Sequence, residues 1–420
     1  MTRARERTLG ERGASGGAAL ARCLEPRSPD EFLERFWEAA PLLVQRGEPG
    51  RFDDLLSEED VERMVCSGGL RYPAFRLVKA GAQLRASSYT VDVPWRPTAF
   101  TGTADVDRVL AEFEAGATIV LQGLHLHWPP LATFCRDLEA TLGHPVQANA
   151  YYTPRGSQGL PVHHDTHDVF VLQAAAEKRW LVYEPALELP LRDQRYSADT
   201  GGPGEPVLDE VLAAGDTLYL PRGWLHEALT SRTDSLHVTI GVNVVTALDA
   251  VRAALDECAA DVEFRRSVPP DGALADDLIE RLRERLEPDD VARRARRRLV
   301  ATRRPIRHGQ ITQVRALDEL SAETEVERRP TVLADLELTD DGGVRLSFDG
   351  KTIVLPPQAR VDVAFLVTAD GSFRPADLPG DLDEAGRLVL VRRLVREGFL
   401  LIARRSGADA SASATRRSGA

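Results

Sequence analysis

Residues 161–173 have the sequence PVHHDTHDVFVLQ, which places three imidazoles and two carboxylates within six positions and then continues as an apolar run. The Val- and Phe-rich run predicts β-structure. Residues two apart in a strand lie on the same side, so His163 and Asp165 share a face, joined by His167 if the extended geometry continues. An imidazole and a carboxylate on one face are two of the three ligands of a 2-His-1-carboxylate centre, which binds Fe(II) and leaves coordination positions open.

The third ligand is expected from another strand that is distant in sequence. Residues 215–226 (GDTLYLPRGWLH) consist of an apolar strand, a Pro-Arg-Gly turn and then His226, 61 positions beyond Asp165. A single histidine is usually a structural residue, but an HxD pair followed by a histidine after a turn favours a metal site. We therefore predict that His163, Asp165 and His226 bind a metal ion.

The neighbouring polar residues are expected to play supporting parts. His164 should face away from the metal, because it alternates with the two ligands that flank it. His167 and His237 are candidates for the hydrogen-bond partners that ligating imidazoles need for their second nitrogen. Asp168 is expected either to begin the next strand or to border the opening to the substrate.

The composition is that of an ordinary globular protein. The chain has 420 residues, of which 43% are hydrophobic and 28% charged, and this length accommodates two or three domains. The net charge of -12 argues against a general nucleic-acid-coating protein, so direct nucleic-acid binding is not expected. No apolar run approaches the roughly 20 residues needed to cross a bilayer, so no membrane association is expected.

A cytoplasmic location is expected from the N-terminus and the cysteines. The first 22 residues are rich in Arg, Gly and Ala and lack the apolar core of a signal peptide. The four cysteines are scattered and form no CxxC pair, which disfavours both a zinc ribbon and a disulfide framework.

The middle of the chain predicts a β-sandwich or barrel of the jelly-roll and cupin group. Residues 1–28 show no periodicity and are expected to be disordered. Helices are predicted to begin near Ser28 and Ser57. Short strands between Gly and Pro turns follow, at 147–152, 169–173, 179–183, 217–220 and 236–245.

The C-terminal part has a different texture. Apolar residues at three- and four-residue spacing predict helices at 248–263 and 274–286, followed by an arginine-rich helix. A hairpin across Asp349-Gly350, two helices and a strand at 399–402 then suit a small winged-helix-like module. This module has few basic residues, so contact with a protein is favoured over contact with DNA.

Several motifs together resemble the JmjC-type cupin-4 oxygenases, the ribosomal-oxygenase group of Fe(II)- and 2-oxoglutarate-dependent protein hydroxylases. The resemblance covers roughly residues 30–245 and continues beyond them as architecture. The motifs that carry it, besides the HxD stretch with His226, are NAYYTP (149–154), GSQG (156–159), DVFVLQ (168–173), KRW (178–180), YLPRG (219–223) and SLHVTI (235–240).

The resemblance implies a cofactor, its co-substrates and their ligands. It implies that His163, Asp165 and His226 bind Fe(II) and form the catalytic centre, with 2-oxoglutarate and O2 as co-substrates. It also implies that Lys178 pairs with the far carboxylate of 2-oxoglutarate, helped by Asn149. The residues agree, because a chelating dicarboxylate needs a buried cation for its other end, and Lys178 is one of only three lysines among 53 basic residues.

The last strand of the barrel departs from the family pattern. Relatives often have a hydroxyl residue near the co-substrate where this chain has Gly241. The polar or small residues at 237, 239, 241 and 243 alternate with Val238, Ile240, Val242 and Val244, so the polar set shares one face. We therefore expect Thr239 or Asn243 to line the pocket and contact the co-substrate instead.

The expected fold class is α+β, a double-stranded β-helix (the cupin/JmjC jelly roll) followed by a helical dimerisation region and a winged-helix-like C-terminal module. The expected domains are a disordered N-terminus at 1–28, the JmjC/cupin catalytic domain at 29–247, the helical dimerisation region at 248–325, the winged-helix-like domain at 326–405 and a disordered tail at 406–420.

Three functions compete at this stage. The leading one is a 2-oxoglutarate-dependent dioxygenase that hydroxylates a side chain of a protein or peptide, with a ribosomal protein among the expected partners and a homodimer as the assembly. The second is a cupin-type enzyme that uses a metal without 2-oxoglutarate, for which Lys178 would be dispensable. The third is a non-catalytic dimeric adaptor, which would remain functional without Asp165.

Overall fold

A computed structural model describes residues 17–403, except for residues 68, 158–159, 198–201, 230–232, 269, 271 and 273–275. Part of the GSQG motif and the predicted tail at 406–420 therefore lie outside the described residues. The chain divides into two compact units between Asp249 and Ala250. Among the described helices, none combines the length and the apolar character required to cross a membrane.

The N-terminal unit contains thirteen strands and six helices within its described residues. The strands are β1 Leu42–Val44, β2 Phe75–Lys79, β3 Ala82–Gln83, β4 Thr90–Trp95, β5 Thr98–Ala104, β6 Thr118–Leu121, β7 Val146–Thr153, β8 Asp168–Ala175, β9 Glu177–Pro185, β10 Leu208–Ala213, β11 Thr217–Leu220, β12 Trp224–Leu229 and β13 Ser235–Val242. The helices are α1 Ala18–Leu24, α2 Pro29–Arg35, α3 Glu58–Cys66, α4 Val106–Glu114, α5 Leu124–His127 and α6 Pro129–Leu142.

Two sheets form the barrel of this unit. The larger has eight strands in the order β1-β11-β8-β13-β7-β6-β2-β3, and the smaller has the order β10-β9-β12. Val169 and Val171 of β8 form a common core with Trp180 and Val182 of β9, so the two sheets pack face to face. With helices on the outer side of the larger sheet, this is an α+β fold of the JmjC/cupin type.

The alternation along β13 decides what faces the barrel interior. Leu236, Val238 and Ile240 are buried in the core shared with the helices, whereas His237 and Thr239 line a cavity between the sheets. The expectation that the polar residues of this strand share one face is confirmed for these two positions.

The segment expected to be disordered contains a helix. Leu20, Cys23 and Leu24 of α1 are fully buried, and the Ala19 N–H donates to Asp137 Oδ2 at 2.7 Å. The expectation of disorder is therefore wrong for residues 18–28. The arginines and glycines around this short segment obscured its apolar face, which is stabilised by packing against α6 rather than by propensity. Residues 1–16 lie outside the described part of the chain.

The C-terminal unit combines helices with two small sheets. Its helices are α7 Ala247–Cys258, which begins just before the boundary, α8 Asp276–Arg285, α9 Pro288–Thr302, α10 Gln310–Arg315, α11 Arg360–Thr368 and α12 Glu384–Glu397. Its strands are β14 Val326–Arg328, β15 Ala334–Leu338, β16 Val344–Phe348, β17 Lys351–Leu355, β18 Ser372–Phe373 and β19 Leu400–Ile402. They pair in the orders β15-β16-β17 and β18-β14-β19.

The arginine-rich helix α9 is engaged by carboxylates of its own unit. Arg294 pairs with Glu257 at 2.8 Å, and Arg297 pairs with Glu337 at 3.1 Å. These ion pairs neutralise part of the positive charge that would otherwise attract the phosphates of a nucleic acid. Arg294 and Arg297 of the basic run are thus paired within this unit.

Candidate metal centre

The structure brings the three predicted ligands together at one end of the barrel. His163 and Asp165 precede β8, and His226 is the third residue of β12. One ligand atom of each residue lies within 4.8 Å of the other two, and His226 Nε2 is 3.8 Å from Asp165 Oδ2. Within the described residues this is the one such cluster found.

The backbone around the HxD pair is not the regular strand that the sequence predicts. Residues 161–167 form a single bridge to β12, in which the His163 N–H donates to the His226 carbonyl at 3.2 Å and the His226 N–H donates back at 2.8 Å. The Gly223 N–H also donates to the Asp165 carbonyl at 3.1 Å. Regular pairing of residues 161–167 with β12 would space the side chains along the strand. One bridge and one turn contact instead bring the side chains of all three predicted ligands to one point.

Backbone carbonyls orient both imidazoles. His163 Nδ1 lies 2.8 Å from the carbonyl oxygen of Pro161, and His226 Nδ1 lies 3.0 Å from that of Trp224. A carbonyl only accepts hydrogen bonds, so each Nδ1 carries the hydrogen and each Nε2 keeps its lone pair for a metal. This arrangement is the one that ligating histidines use, here with main-chain partners.

His167 and His237 therefore do not have the predicted role. His237 stacks in parallel on Tyr151, with ring centroids 4.9 Å apart, and both histidines line the cavity. His164 points away from the cluster, yet it is buried rather than solvent-facing and contacts the ring of Tyr196 edge-on at 5.6 Å. The sequence could not show that carbonyls two residues earlier would hold the ligands.

The electrostatics of the cluster match a cation site. Burial and the neighbouring His163 lower the pKa of His226 to about 4, so its imidazole is neutral at neutral pH. Burial acts to raise the pKa of Asp165, but the surrounding imidazoles, His167 first among them, hold this pKa below its usual value. A neutral His226 beside an ionised Asp165 is the pair of protonation states that metal binding requires of these two ligands.

A cavity of about 250 Å³ adjoins the cluster. Its walls come from inward-facing residues of both sheets, and Lys178, Asn149 and Thr239 are among them, as the sequence predicts. Asn243 does not line it. This residue lies just beyond β13, where its backbone N–H donates to the Pro145 carbonyl at 2.8 Å, so its predicted place in the pocket is wrong because the strand ends one residue too early.

Lys178 is the buried cation of the cavity. Its side chain is 2% exposed, and its Nζ donates to Thr153 Oγ1 at 3.0 Å. Burial lowers the pKa of Lys178 to about 7. The other two lysines form ion pairs with Glu112 and Glu397, whereas the contact that holds Lys178 is to a neutral hydroxyl. A ligand carboxylate would supply the missing charge partner.

The amide of Asn149 is fixed by the main chain. Its Oδ1 accepts a hydrogen bond from the Gly123 N–H at 3.0 Å, which leaves the NH2 group as the part that a ligand can contact. Thr239, like Tyr151, lines the cavity as well. Both residues therefore add polar groups to an otherwise largely apolar enclosure.

The space beside Gly241 is already filled. A Cβ atom at this position would lie 3.1 Å from His167 Nε2 and 3.1 Å from the Gln147 side chain. A hydroxyl residue would therefore require one of these side chains to move. Relatives often have a hydroxyl residue at this position. In this chain the residue is Gly241, and the His167 ring occupies the space that a hydroxyl side chain would need.

Sequence reasoning missed two charged residues of the cavity, Arg76 and Glu227. Arg76 lies on β2 and lines the cavity together with Val78. The alternation in residues 75–79 (FRLVK), where Phe75 and Leu77 are fully buried on the other face, is the signal that could have predicted a strand with Arg76 turned inward.

A buried ion pair ties the turn before His226 to the start of β8. Asp168 is fully buried and accepts from the Arg222 N–H at 2.9 Å and from Arg222 Nη1 at 3.1 Å. Arg222 also pairs with Glu38 at 2.5 Å. Burial raises the pKa of Asp168 to about 6 despite these bonds. Of its two expected roles, Asp168 has the one at the strand start.

We predict that Arg222→Ala lowers the free energy of unfolding by about 3–5 kcal/mol at pH 7, because it leaves the buried Asp168 carboxylate without its cation. The loss should shrink as the pH falls towards about 6 and level off below it, because the variant, which lacks the cation that lowers this pKa, protonates Asp168 at a higher pH than wild type does. Denaturant unfolding at several pH values measures this. The control is Arg179→Ala, whose pair with Asp209 is solvent-exposed, so its removal should change the free energy of unfolding far less. Equal losses for the two variants would contradict the prediction.

Comparison with known proteins identifies relatives of the chain. A model of the JmjC domain matches residues 126–250, which include all three clustered residues. Ribosomal oxygenase 1 of Gallus gallus is 34% identical over 259 residues, which is 59% of this chain and 41% of that protein. The bifunctional lysine-specific demethylase and histidyl-hydroxylase NO66 of Drosophila persimilis is 33% identical over 227 residues, covering 54% of this chain and 31% of that protein. The matches thus span less than half the length of these relatives.

Solved structures show the same fold. The crystal structure of Escherichia coli ribosomal oxygenase YcfD aligns with a TM-score of 0.55 at 17% identity, covering 90% of this chain and 98% of that one. The structure of YcfD in complex with cobalt and 2-oxoglutarate aligns with a TM-score of 0.54 at 17% identity, covering 89% and 97%. The chain is therefore a JmjC-domain protein related to the ribosomal oxygenases.

Proposed function

We propose that the protein is an Fe(II)- and 2-oxoglutarate-dependent dioxygenase that hydroxylates a side chain of a protein or peptide. The observation that carries this proposal is one cavity that contains both a His-Asp-His cluster and Lys178, a buried cation held only through a neutral hydroxyl. A metal-chelating dicarboxylate needs these two features together, one for each of its ends.

The residues fit the proposed metal. His163, Asp165 and His226 would hold Fe(II) through two imidazole nitrogens and one carboxylate oxygen, the donor set of non-haem Fe(II) oxygenases, and this set leaves positions open for co-substrates. When bound, the iron supplies O2 activation, coupled to conversion of 2-oxoglutarate to succinate and CO2. A purely structural metal site would not explain why Lys178, a buried cation with no carboxylate partner among the described residues, lines the same cavity.

The other residues of the cavity prepare the site for this chemistry. Lys178 would bind the far carboxylate of 2-oxoglutarate, and the Asn149 NH2 group would add a donor. Val120, Val171 and Trp180 line the same cavity and limit access of water, which strengthens the interaction between Lys178 and a carboxylate. Thr239 contributes a hydroxyl group to the cavity wall.

The relatives support a protein substrate. The curated relatives are named as ribosomal oxygenases and as a histidyl-hydroxylase, and the structure of YcfD contains cobalt and 2-oxoglutarate. We infer a protein substrate of the ribosomal-protein type for this chain, with a side chain as the site of oxidation.

The direct test is binding and turnover by the full chain. Calorimetry of the protein with Mn(II) in place of Fe(II) should show 2-oxoglutarate binding, and the Fe(II)-loaded protein should form succinate under air. Protein that binds the metal but neither binds nor consumes 2-oxoglutarate would refute the proposal and favour a cupin-type metal enzyme. Protein that binds no metal would favour the adaptor.

The C-terminal unit has the features of an assembly region. We propose that residues 248–325 form the contact of a homodimer and that residues 326–405 are a winged-helix-like module that contacts a protein. Val251 and Leu255 on α7 and Ile279 on α8 are solvent-exposed apolar side chains, which a second copy would cover. Sedimentation of the full chain tests this, and a monomer at all concentrations would refute it. The four unpaired cysteines accord with the proposed cytoplasmic location.

A further inference from the structure

The cavity contains a second cationic side chain that the assignment of Lys178 leaves without a role. Arg76 of β2 lies opposite Val120 of β6, and Val120 lies opposite Tyr151 of β7. Tyr151 in turn lies opposite His237 of β13. Arg76 thus belongs to one row of inward-facing residues across the larger sheet, two strands away from Tyr151.

The guanidinium is held in place by neutral acceptors. Arg76 Nε donates to Gln122 Oε1 at 2.7 Å, and Gln122 is fixed in turn because its Nε2 donates to the Pro73 carbonyl at 2.7 Å. Burial raises the pKa of Tyr151, and the positive charge of Arg76 opposes this larger effect by lowering that pKa. A guanidinium has five N–H groups in a rigid plane, so these hydrogen bonds fix its orientation. Its remaining N–H groups and its positive charge stay available to a ligand.

The two cations of the cavity differ in accessibility. Lys178 is almost completely buried, whereas Arg76 is only half-buried. One dicarboxylate uses the metal for one end and a single cation for the other. If Lys178 binds the far carboxylate of the co-substrate, Arg76 stays available to contact the substrate, which enters from outside.

The neighbouring groups on this wall are donors as well. Asn149 presents its NH2 group, because its oxygen already accepts from Gly123. Glu227 also borders the cavity, but its carboxylate accepts from the Tyr183 hydroxyl at 2.8 Å. The residues of β9 that face the interior alternate with Tyr183, so Tyr183 itself lies on the opposite face of the strand. The Glu227 carboxylate is directed towards that face. The wall near Arg76 thus combines positive charge with hydrogen-bond donors.

We propose that Arg76 is a specificity-determining residue, which selects a target side chain that carries a hydrogen-bond acceptor and rejects cationic targets. The proposal rests on the dioxygenase function proposed above. The accepted class comprises neutral imidazole, carboxamide and carboxylate side chains, each of which can accept from the guanidinium. Arginine and lysine targets would place a second positive charge against Arg76 in a cavity where water screens it poorly.

The test compares variants of the Fe(II)-loaded full chain on one peptide mixture. A protease digest of total ribosomal proteins is incubated with 2-oxoglutarate, and mass spectrometry locates residues that gain one oxygen atom. For wild-type protein these residues should be histidine, asparagine, glutamine, aspartate or glutamate. On the best such peptide, Arg76→Gln should raise KM by roughly tenfold, the loss of one charge-assisted hydrogen bond. Arg76→Glu should shift modification towards arginine and lysine.

A binding measurement separates this role from a role in co-substrate binding. In the Mn(II)-loaded protein, Arg76→Gln should bind 2-oxoglutarate within about threefold of wild type, while Lys178→Met should lose roughly tenfold or more. The matched control is Arg71→Gln, an arginine that bonds to Thr101 and does not line the cavity, and it should change neither quantity.

Three results would overturn the inference while the proposed function stands. They are modification of arginine or lysine by wild-type protein as efficient as that of acceptor residues, an unchanged KM in Arg76→Gln, and a loss of 2-oxoglutarate affinity in Arg76→Gln equal to that in Lys178→Met. Absence of 2-oxoglutarate binding or turnover in wild type would instead refute the proposed function itself. Turnover without any modified peptide would overturn both the protein target and the role of Arg76.

Discussion

Asp165→Ala protein is expected to bind divalent metal at least on the order of 100-fold more weakly than wild type, and to form no succinate. Asp165 is the one carboxylate of the cluster, so its removal takes away the negative charge that the cluster offers to a cation. The two imidazoles would remain in place, because the carbonyls of Pro161 and Trp224 hold them independently of Asp165. The variant should therefore fold, and it should lose the metal rather than its structure.

Titration with Co(II), followed by its visible absorption, measures this affinity without dependence on turnover. The matched control is Asp209→Ala, which removes an exposed carboxylate paired with Arg179 and should bind Co(II) as wild type does. Affinity of the Asp165→Ala protein within about threefold of wild type would show that the metal lies elsewhere. Wild-type biological function in a variant that has lost the metal would support the adaptor alternative.

Lys178→Met is expected to raise the Kd for 2-oxoglutarate by roughly 10- to 100-fold, the value of a buried hydrogen bond between charged groups. Methionine keeps most of the side-chain volume among the buried neighbours of Lys178, so the cavity should keep its shape. Metal binding should be unchanged, because Lys178 is not part of the His-Asp-His cluster. Calorimetry with the Mn(II)-loaded protein measures both affinities.

The same residue predicts a pH dependence with a definite sign. Burial lowers the pKa of Lys178 in the folded protein to about 7, from an ordinary value of 10.5. Between these values the unfolded chain binds more protons, so this lysine makes the free energy of unfolding rise with pH, by up to about 1.4 kcal/mol per pH unit. In Lys178→Met that contribution should be absent. Affinity of wild type for 2-oxoglutarate should fall as the pH rises above about 7, because binding needs the protonated lysine.

Lys79→Met is the control for both measurements. Lys79 pairs with Glu112 at 3.1 Å and is partly exposed, so its removal should leave the 2-oxoglutarate affinity and its pH dependence unchanged. If Lys178→Met bound 2-oxoglutarate within about threefold of wild type, the co-substrate assignment would be wrong. A metal-dependent cupin enzyme of another kind would then be the better hypothesis.

The clustered residues could be found from the sequence because their signal is mostly local. His163 and Asp165 are two positions apart, and His226 follows a turn whose Pro-Arg-Gly sequence is itself distinctive. Even there, the sequence predicted a regular strand, where the structure has a single bridge to β12. That bridge and the turn contact of Gly223 with Asp165 bring the three side chains to one point, and no local pattern in the sequence predicts this pairing.

Residues whose role depends on distant pairing were harder to predict. Arg76 reaches the cavity only because β2 pairs with β6, and β6 with β7, and no local pattern states that order. Asn243 follows the period of β13, yet the strand ends at Val242, and strand ends are set by tertiary contacts more than by composition. The helix at Ala18–Leu24 was missed because its stability comes from burial against α6 rather than from its own residues.

Because backbone carbonyls orient His163 and His226, the orientation of these two side chains tolerates substitution of their neighbours. No side chain has to be retained to aim either imidazole, since the aiming atoms belong to the main chain two residues earlier in both cases. Substitutions around the cavity can therefore accumulate without turning the ligands. New target preferences could therefore arise during evolution at positions such as Arg76 or Gly241 while the three clustered side chains keep their orientation.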